Sequence, residues 1–230
     1  SVVQIESASD RVTASSTDGF RLVKMVSRGE TNREPWRLLL NPRAIKSING
    51  LLDESSEVLI VQQERHTWFF CEHGDLCVSN LTNVGWRDVP IRESSDTEVS
   101  VTTSVLLETV KRVSALTSST IGDDKIFPPM ILDVKGGLIS VYSDDRARNT
   151  AEDIVECEQS GPDIWYAFNA EKLIDTLTNL HAPSITIGMQ QTDDVVVFRE
   201  SDSSLFYCVA ILMPLHRGAV ERTTHREKAA

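Results

Sequence analysis

The 230-residue sequence lacks a long apolar run, and no stretch reaches the ~18 residues that a membrane-spanning helix requires. Residues 1–10 contain no basic region followed by an apolar block, so no secretory signal peptide is predicted. GxSxG, GxGxxG and phosphate-loop motifs are missing as well, and the 5 histidines are scattered without metal-site spacing. These absences predict a protein without a membrane segment, a metal or a cofactor, and one that is not an enzyme.

Cysteine and positive charge are also scarce. Cys71, Cys77, Cys157 and Cys208 form no CxxC pair, and we predict reduced core residues in a cytosolic protein. The formal net charge is -11, whereas proteins that grip DNA phosphates from outside are usually basic. The acidic total argues against tight, simple DNA binding but leaves room for basic residues gathered on one surface.

What the sequence does contain is an internal repeat. The apolar run 36–40 ends at Asn41, and the run 164–168 ends at Asn169, 128 positions later (169 minus 41). An amphipathic helical pattern follows each asparagine, and Asn41-Pro42 is a typical helix start. At the same offset, Leu59 aligns with Ile187 and Phe70 with Phe198. Because the offset is kept through helix and strand, we infer two copies of one domain.

The second copy contains a strand and a helix at its start that the first copy lacks. It opens near Glu98 with a strand and then a predicted helix over 104–117, and the first copy has no counterpart of either. We therefore expect the first copy to lack about 30 residues at its front. The predicted organisation is a partial domain over 1–97, a complete domain over 98–217 and a polar, disordered tail over 218–230.

Strand and turn patterns predict an α+β fold. Alternating segments such as 57–61 and 194–198 are separated by short turns, among them Lys135-Gly136-Gly137. Short connections favour antiparallel sheets, with the helices on one face.

Two motifs carry a family resemblance. Thr17-Asp18-Gly19-Phe20-Arg21-Leu22 resembles the threonine-aspartate-glycine-histidine-arginine-leucine signature in the middle domain of bacterial DNA polymerase III β sliding clamps. Leu212-Met213-Pro214-Leu215-His216-Arg217 is similar to the methionine-proline-methionine-arginine ending of the last clamp domain. The resemblance extends from about Val2 to Arg217.

The resemblance implies the DNA-clamp fold, in which repeated domains place antiparallel sheets outside and helices around a central hole. It further implies a processivity factor of DNA replication that slides on duplex DNA, binds it weakly and closes as a homodimeric ring. Its partners would be DNA polymerase, the clamp loader and repair proteins, in the cytoplasm at the nucleoid.

The resemblance also implies a pocket for partner peptides between the middle and last domains. Carried over residue by residue, this partner-peptide pocket comprises Thr17, Gly19, Phe20, Arg21, Leu22, Val89, Met213, Pro214 and Leu215. Apolar walls and an adaptable methionine suit a site that serves several peptides. From the residues alone, Thr17-Asp18-Gly19 is equally a simple turn, and 213–215 is equally the end of a core strand.

The resemblance implies DNA contact by the basic residues of the predicted helices, namely Arg43, Lys46, Lys111 and Arg112. The predicted helices carry a small net positive charge in an acidic chain, which fits a mildly positive bore. An ordinary intrahelical ion-pair set that includes Glu108 explains Lys111 and Arg112 equally well.

Phe20 stands where the family has histidine, which makes the pocket edge more apolar. Three other features support a second hypothesis: the acidic third predicted helix with Glu171 and Asp175, Asp88 where arginine is expected, and the residues that follow Arg217. The alternative function is a clamp-derived protein-binding module of a regulatory protein, such as a transcription regulator, that no longer forms a sliding ring.

Overall fold

The fold was analysed in a computed structural model. The structure describes residues 2–8, 10–28, 34–51, 57–82, 86, 91, 93–117, 119–121, 124–126, 128–145, 149–191, 195–200 and 206–215. The chain forms two compact units, residues 1–90 with 204–207 and residues 91–203 with 208–230. The predicted tail over 218–230 lies outside the described residues.

The first unit contains one helix and seven strands among its described residues. In chain order they are β1 (Val2–Ala8), β2 (Arg11–Thr17), β3 (Arg21–Arg28), β4 (Trp36–Leu40), α1 (Pro42–Asn49), β5 (Leu59–Gln62), β6 (His66–Cys71) and β7 (Gly74–Ser79). The strands pair antiparallel in the orders β3-β2-β1-β4 and β5-β6-β7.

The second unit contains the remaining elements, except that residues 206–207 at the start of the last strand belong to the first unit. They are β8 (Thr97–Thr102), α2 (Thr103–Thr117), β9 (Ser119–Ile121), β10 (Asp124–Ile126), β11 (Pro129–Lys135), β12 (Leu138–Asp145), β13 (Asn149–Glu156), β14 (Glu158–Ser160), β15 (Ile164–Asn169), α3 (Ala170–Thr178), β16 (Ser184–Met189), β17 (Val196–Glu200) and β18 (Phe206–Leu212). The main strand orders are β13-β12-β11-β15 and β14-β8-β16-β17-β18, all antiparallel. The antiparallel α+β prediction is confirmed.

The strand orders show the predicted repeat directly. Sheet β3-β2-β1-β4 has the same chain path as β13-β12-β11-β15, and β5-β6-β7 corresponds to β16-β17-β18. Both copies also end in the same backbone hydrogen bond: Leu81 N donates to Leu39 O at 2.9 Å, and Leu215 N donates to Ala167 O at 2.7 Å. Leu39 and Ala167 are therefore equivalent positions.

Local sequence determines where two of the helices begin. The side chain of Asn41 accepts a hydrogen bond from Arg43 N and caps α1, whose first residue is Pro42. Asn169 caps α3 in the same way by accepting from Lys172 N. The predicted helix starts are thus close to those observed, although the prediction for α1 extended to Leu52, which lies outside the described residues.

The turn at Gly136-Gly137 joins β11 to β12. Both glycines have positive φ, at 58° and 80°, as a two-residue hairpin with primed turn geometry requires. The hairpin interpretation of these glycines is confirmed.

The two cores are built from alternate residues of the strands. In the first unit, Leu38, Leu40, Phe69 and Val78 are buried together. In the second unit, Phe168 of β15 meets Phe198 of β17 edge-on, with ring centroids 6.4 Å apart, and both rings are buried. Burial of one such side chain stabilises the fold by ~1.5–3 kcal/mol.

Two sequence predictions are wrong in detail. The repeat alignment matched Leu59 with Ile187 and Phe70 with Phe198, and both matches are off by one residue: the buried phenylalanine of β6 is Phe69, and its cross-strand partner is Ile60, which is less exposed than Leu59. A one-residue slip reverses the faces of a strand, so Phe69 is the structural counterpart. Cys77 was predicted to lie in the core, yet it is exposed on β7, while Cys208 is buried.

Candidate functional site

The segment Thr17–Leu22 spans the end of β2, the hairpin loop 18–20 and the start of β3. Gly19 has φ +90°, a backbone conformation that favours glycine. Asp18 Oδ1 accepts from Phe20 N and Arg21 N, both at 3.0 Å, and Thr17 Oγ1 accepts from Gly19 N at 3.1 Å. These side-chain to backbone bonds hold the loop in one shape.

The consequence of this loop shape is an exposed aromatic ring. Phe20 is 64% exposed, whereas Leu22, two residues later on β3, is 4% exposed. The Arg21 guanidinium turns back to Asp18, with Nε 3.1 Å from Oδ2. Of the predicted pocket residues in this segment, Phe20 is the one with a large exposed apolar side chain.

The second predicted segment follows β18. Met213 is 52% exposed, directly after Leu212 at 2%. Leu215 pairs with Ala167 at the edge of β15 and packs against the buried cluster of Ile131 and Ala167, as Tyr142 and Trp165 also do. Pro214 is half-buried, and predicted pocket residue Val89 lies outside the described residues.

The predicted DNA-facing residues fall into two groups. Arg43 and Lys46 are exposed on α1, and Lys111 and Arg112 are exposed on α2. Lys111 Nζ lies 3.5 Å from Glu108 Oε1, as the ion-pair alternative predicted. Such an exposed pair contributes little stability and does not immobilise the ammonium group.

Arg112 has a stronger partner that sequence reasoning missed. Its Nη2 donates to Asp153 Oδ2 at 2.6 Å and its Nε donates to the same oxygen at 3.1 Å. The hydrogen bond from Arg112, with a second from Ile154 N, lowers the pKa of Asp153 below its ordinary value. Asp153 lies 41 positions from Arg112 in a different element, so no local spacing could indicate the pair.

A shallow groove lies elsewhere, within the first unit. It has a volume of about 400 Å³ and is lined by Arg37, Leu39, Gln62, Glu64, Asn80, Leu81, Thr82 and Trp86. None of the predicted pocket residues that the structure describes lines this groove. Across the described ranges, no cluster of histidine, cysteine and carboxylate side chains could hold a metal ion. None of the helices in those ranges is long and apolar enough to cross a membrane.

Comparison with known proteins follows the same division of the chain. The family described as DNA polymerase III beta subunit, C-terminal domain, matches residues 91–216. No curated protein sequence matches the chain.

Solved structures are similar over nearly the whole chain. A DnaN sliding clamp from Pseudomonas aeruginosa bound to griselimycin has a TM-score of 0.81 at 18% identity, covering 94% of this chain and 57% of that one. The sliding clamp of Bacillus subtilis gives a TM-score of 0.81 at 18% identity, with 94% and 56% covered. The beta subunit from Streptococcus pyogenes gives 0.81 at 17%, with 93% and 57% covered.

At these identities the likeness establishes the fold, and this chain spans a little over half the length of those clamps. The family match, however, covers more than half of this chain. The predicted family is confirmed: the chain belongs to the DNA polymerase III beta subunit family, the bacterial sliding clamps that act as processivity factors in DNA replication.

Proposed function

We propose that the chain is part of a sliding clamp that encircles duplex DNA and tethers replication and repair proteins. The observation that carries this proposal is the family match over 91–216, together with the clamp fold over both units. In this proposal 1–97 is the partial middle-domain equivalent and 98–217 is the complete last-domain equivalent. The full-length protein would close a homodimeric ring at the nucleoid, and the clamp itself would carry out no chemistry.

Partner tethering is assigned to the partner-peptide pocket listed above. Phe20 and Met213 support it because each exposes a large apolar side chain at a position where the family places its peptide site. A methionine re-packs easily against different side chains, which suits a site that serves polymerase, clamp loader and repair proteins. Phe20 in place of histidine makes this surface more apolar and favours apolar anchors in the peptide.

DNA contact is assigned to Arg43, Lys46, Lys111 and Arg112. All four are exposed, but Arg112 would have to exchange the Asp153 carboxylate for a phosphate. Because four basic residues are assigned and one of them already has a carboxylate partner, few phosphates are contacted at once. Few phosphate contacts give weak binding, which a sliding protein requires. The alternative of a clamp-derived regulatory module gains no support from the fold or from the family match.

The proposal is tested by fluorescence polarisation with a short clamp-binding peptide from a bacterial DNA polymerase III. We expect saturable binding of this peptide and none of a scrambled peptide of the same composition. Equal signals from the native and scrambled peptides would show that this chain does not tether partners in this way.

A further inference from the structure

Sheet β13-β12-β11-β15 has two different faces. One face packs on α2 and carries the buried residues Ile139, Val141 and Val155. We call the other side the far face. By the alternation of the paired strands, it carries Ile131, Asp133, Lys135, Leu138, Ser140, Tyr142, Glu152, Ile154, Glu156, Trp165 and Ala167.

The far face is apolar near its β15 edge. Ile131 and Ala167 are buried there, with the half-buried rings of Tyr142 and Trp165 beside them. Leu215, which belongs to the proposed partner-peptide pocket, packs on the same cluster. A peptide bound at Leu215 would therefore find a continuous apolar surface leading onto the far face.

The internal repeat provides a comparison for this surface. Leu39 and Ala167 are equivalent, since each accepts the closing backbone hydrogen bond of its copy. Two residues earlier stand Arg37 in the first unit and Trp165 in the second. Their cross-strand partners are Glu6 and Asp133, respectively.

Of these two cross-strand pairs, the one in the first unit is an ion pair and the one in the second unit is not. Arg37 Nε lies 3.5 Å from Glu6 Oε1 and forms an ion pair. In the second unit the acid is kept as Asp133, but Trp165 replaces the arginine. Asp133 forms no ion pair with any residue in the described part of the chain.

The surroundings of Asp133 favour an added cation. Burial raises the pKa of Asp133; Lys135 opposes this shift, and the carboxylates of Asp163 and Glu152 add to it. The same acids, Asp133 and Glu152, act on Tyr142, whose pKa is raised first by burial. One cation, Lys135, and two carboxylates, Asp163 and Glu152, therefore act on Asp133, whose cross-strand partner is Trp165.

We propose that Asp133 and Trp165 receive a lysine or arginine side chain of the bound partner peptide. The incoming cation would pair with the carboxylate and lie against the indole, where cation–π attraction adds to the charge interaction. The partner's cation would form with Asp133 the ion pair that Arg37 forms with Glu6 in the first unit. The inference rests on the proposed function and names a chemistry of its partners: an apolar anchor with a basic residue nearby.

The test uses two versions of the polymerase-derived peptide, extended at both ends with either lysine or glutamine. We expect the lysine version to bind wild type about fivefold more tightly at low salt, as partly exposed contacts of this kind allow. Asp133→Asn should bring the two affinities together. Trp165→Arg, which recreates the pair of the first unit, should do the same because the site then holds its own cation.

Glu6→Gln is the matched control, since it removes the same charge from the equivalent position of the first unit. It should leave the lysine preference intact, which separates a local contact from general attraction to an acidic chain. Equal binding of both peptides to wild type, or a preference that survives Asp133→Asn and Trp165→Arg, would overturn the inference alone. Failure of both peptides to bind would overturn the proposed function, and this inference with it. Thermal unfolding of each variant verifies that the fold is retained.

Discussion

At the scale of single residues, Asn41 and Asn169 perform the same task in the two copies. Each side chain accepts a backbone N–H at the start of a helix, a group that would otherwise lack a partner. We expect Asn169→Ala to lower the free energy of unfolding by ~0.5–2 kcal/mol, measured by urea denaturation. Asn169→Asp keeps the acceptor and should remain close to wild type. Equal stability of the alanine variant would contradict the capping role.

The cysteines differ in reactivity for a physical reason. Burial, with a smaller effect of Glu200, raises the pKa of Cys208 to about 11, so its thiolate is nearly absent at neutral pH. Cys77 is exposed on β7. We predict that a thiol reagent at pH 8 labels Cys77 rapidly and Cys208 only after unfolding. Mass spectrometry of the labelled peptides measures this, and early labelling of Cys208 would contradict its burial.

At the scale of elements, α2 is tied to β13 by the Arg112–Asp153 ion pair. Asp153→Asn removes a negative charge and weakens the hold on Arg112, which then becomes more available to phosphate. We predict tighter duplex binding by this variant at low salt, measured by fluorescence anisotropy. Glu108→Gln, which removes the same charge beside Lys111, is the control for charge alone. An Asp153→Asn affinity no higher than that of the control would argue that Arg112 does not face DNA.

Some secondary-structure features could be predicted from the sequence, and others could not. Asn41-Pro42 strongly favours a helix start and Gly136-Gly137 strongly favours a tight turn, so both features could be predicted from local sequence. Strand β6 contains Trp68, Phe69 and Phe70 in a row, and such a run cannot indicate which side faces the core. Phe69 is buried because it packs with Leu38, Leu40 and Val78, which lie on other strands.

Similar limits apply to the candidate sites. The Thr17–Leu22 and 213–215 segments were chosen from motifs; Phe20 and Met213 are exposed and Leu22 is buried, and their assignment to a peptide pocket stays a prediction. Asp153 was not found, because its partner is distant in sequence. The pair Asp133–Trp165 was not found either, since its meaning depends on knowing that it is equivalent to Glu6–Arg37.

At the scale of the whole molecule, the distribution of charge predicts that the chain contacts DNA but does not bind it tightly. The chain carries a net charge of -11, while the proposed DNA-facing residues are basic. We predict weak duplex binding with a shallow dependence of log affinity on log salt, and a loss of about one unit of slope for each of Arg43→Ala and Lys46→Ala. Tight binding of linear duplex at moderate salt would contradict the bore assignment.

The central claim is that this chain still binds clamp partners, and two exposed side chains test it most directly. The measurement is a fluorescence-polarisation titration of the polymerase-derived peptide against wild type, Phe20→Ala, Met213→Ala and Met25→Ala. Met25 and Met213 are both 52% exposed, so Met25→Ala is a matched control on β3, outside the proposed pocket. Leu22→Ala should also weaken binding, but Leu22 is buried, so that variant needs a parallel stability measurement.

We predict that Phe20→Ala and Met213→Ala each weaken binding by ~1–3 kcal/mol, as truncation of an apolar anchor does, while Met25→Ala binds as wild type. Unchanged affinity in both pocket variants, or an equal loss in Met25→Ala, would contradict the account.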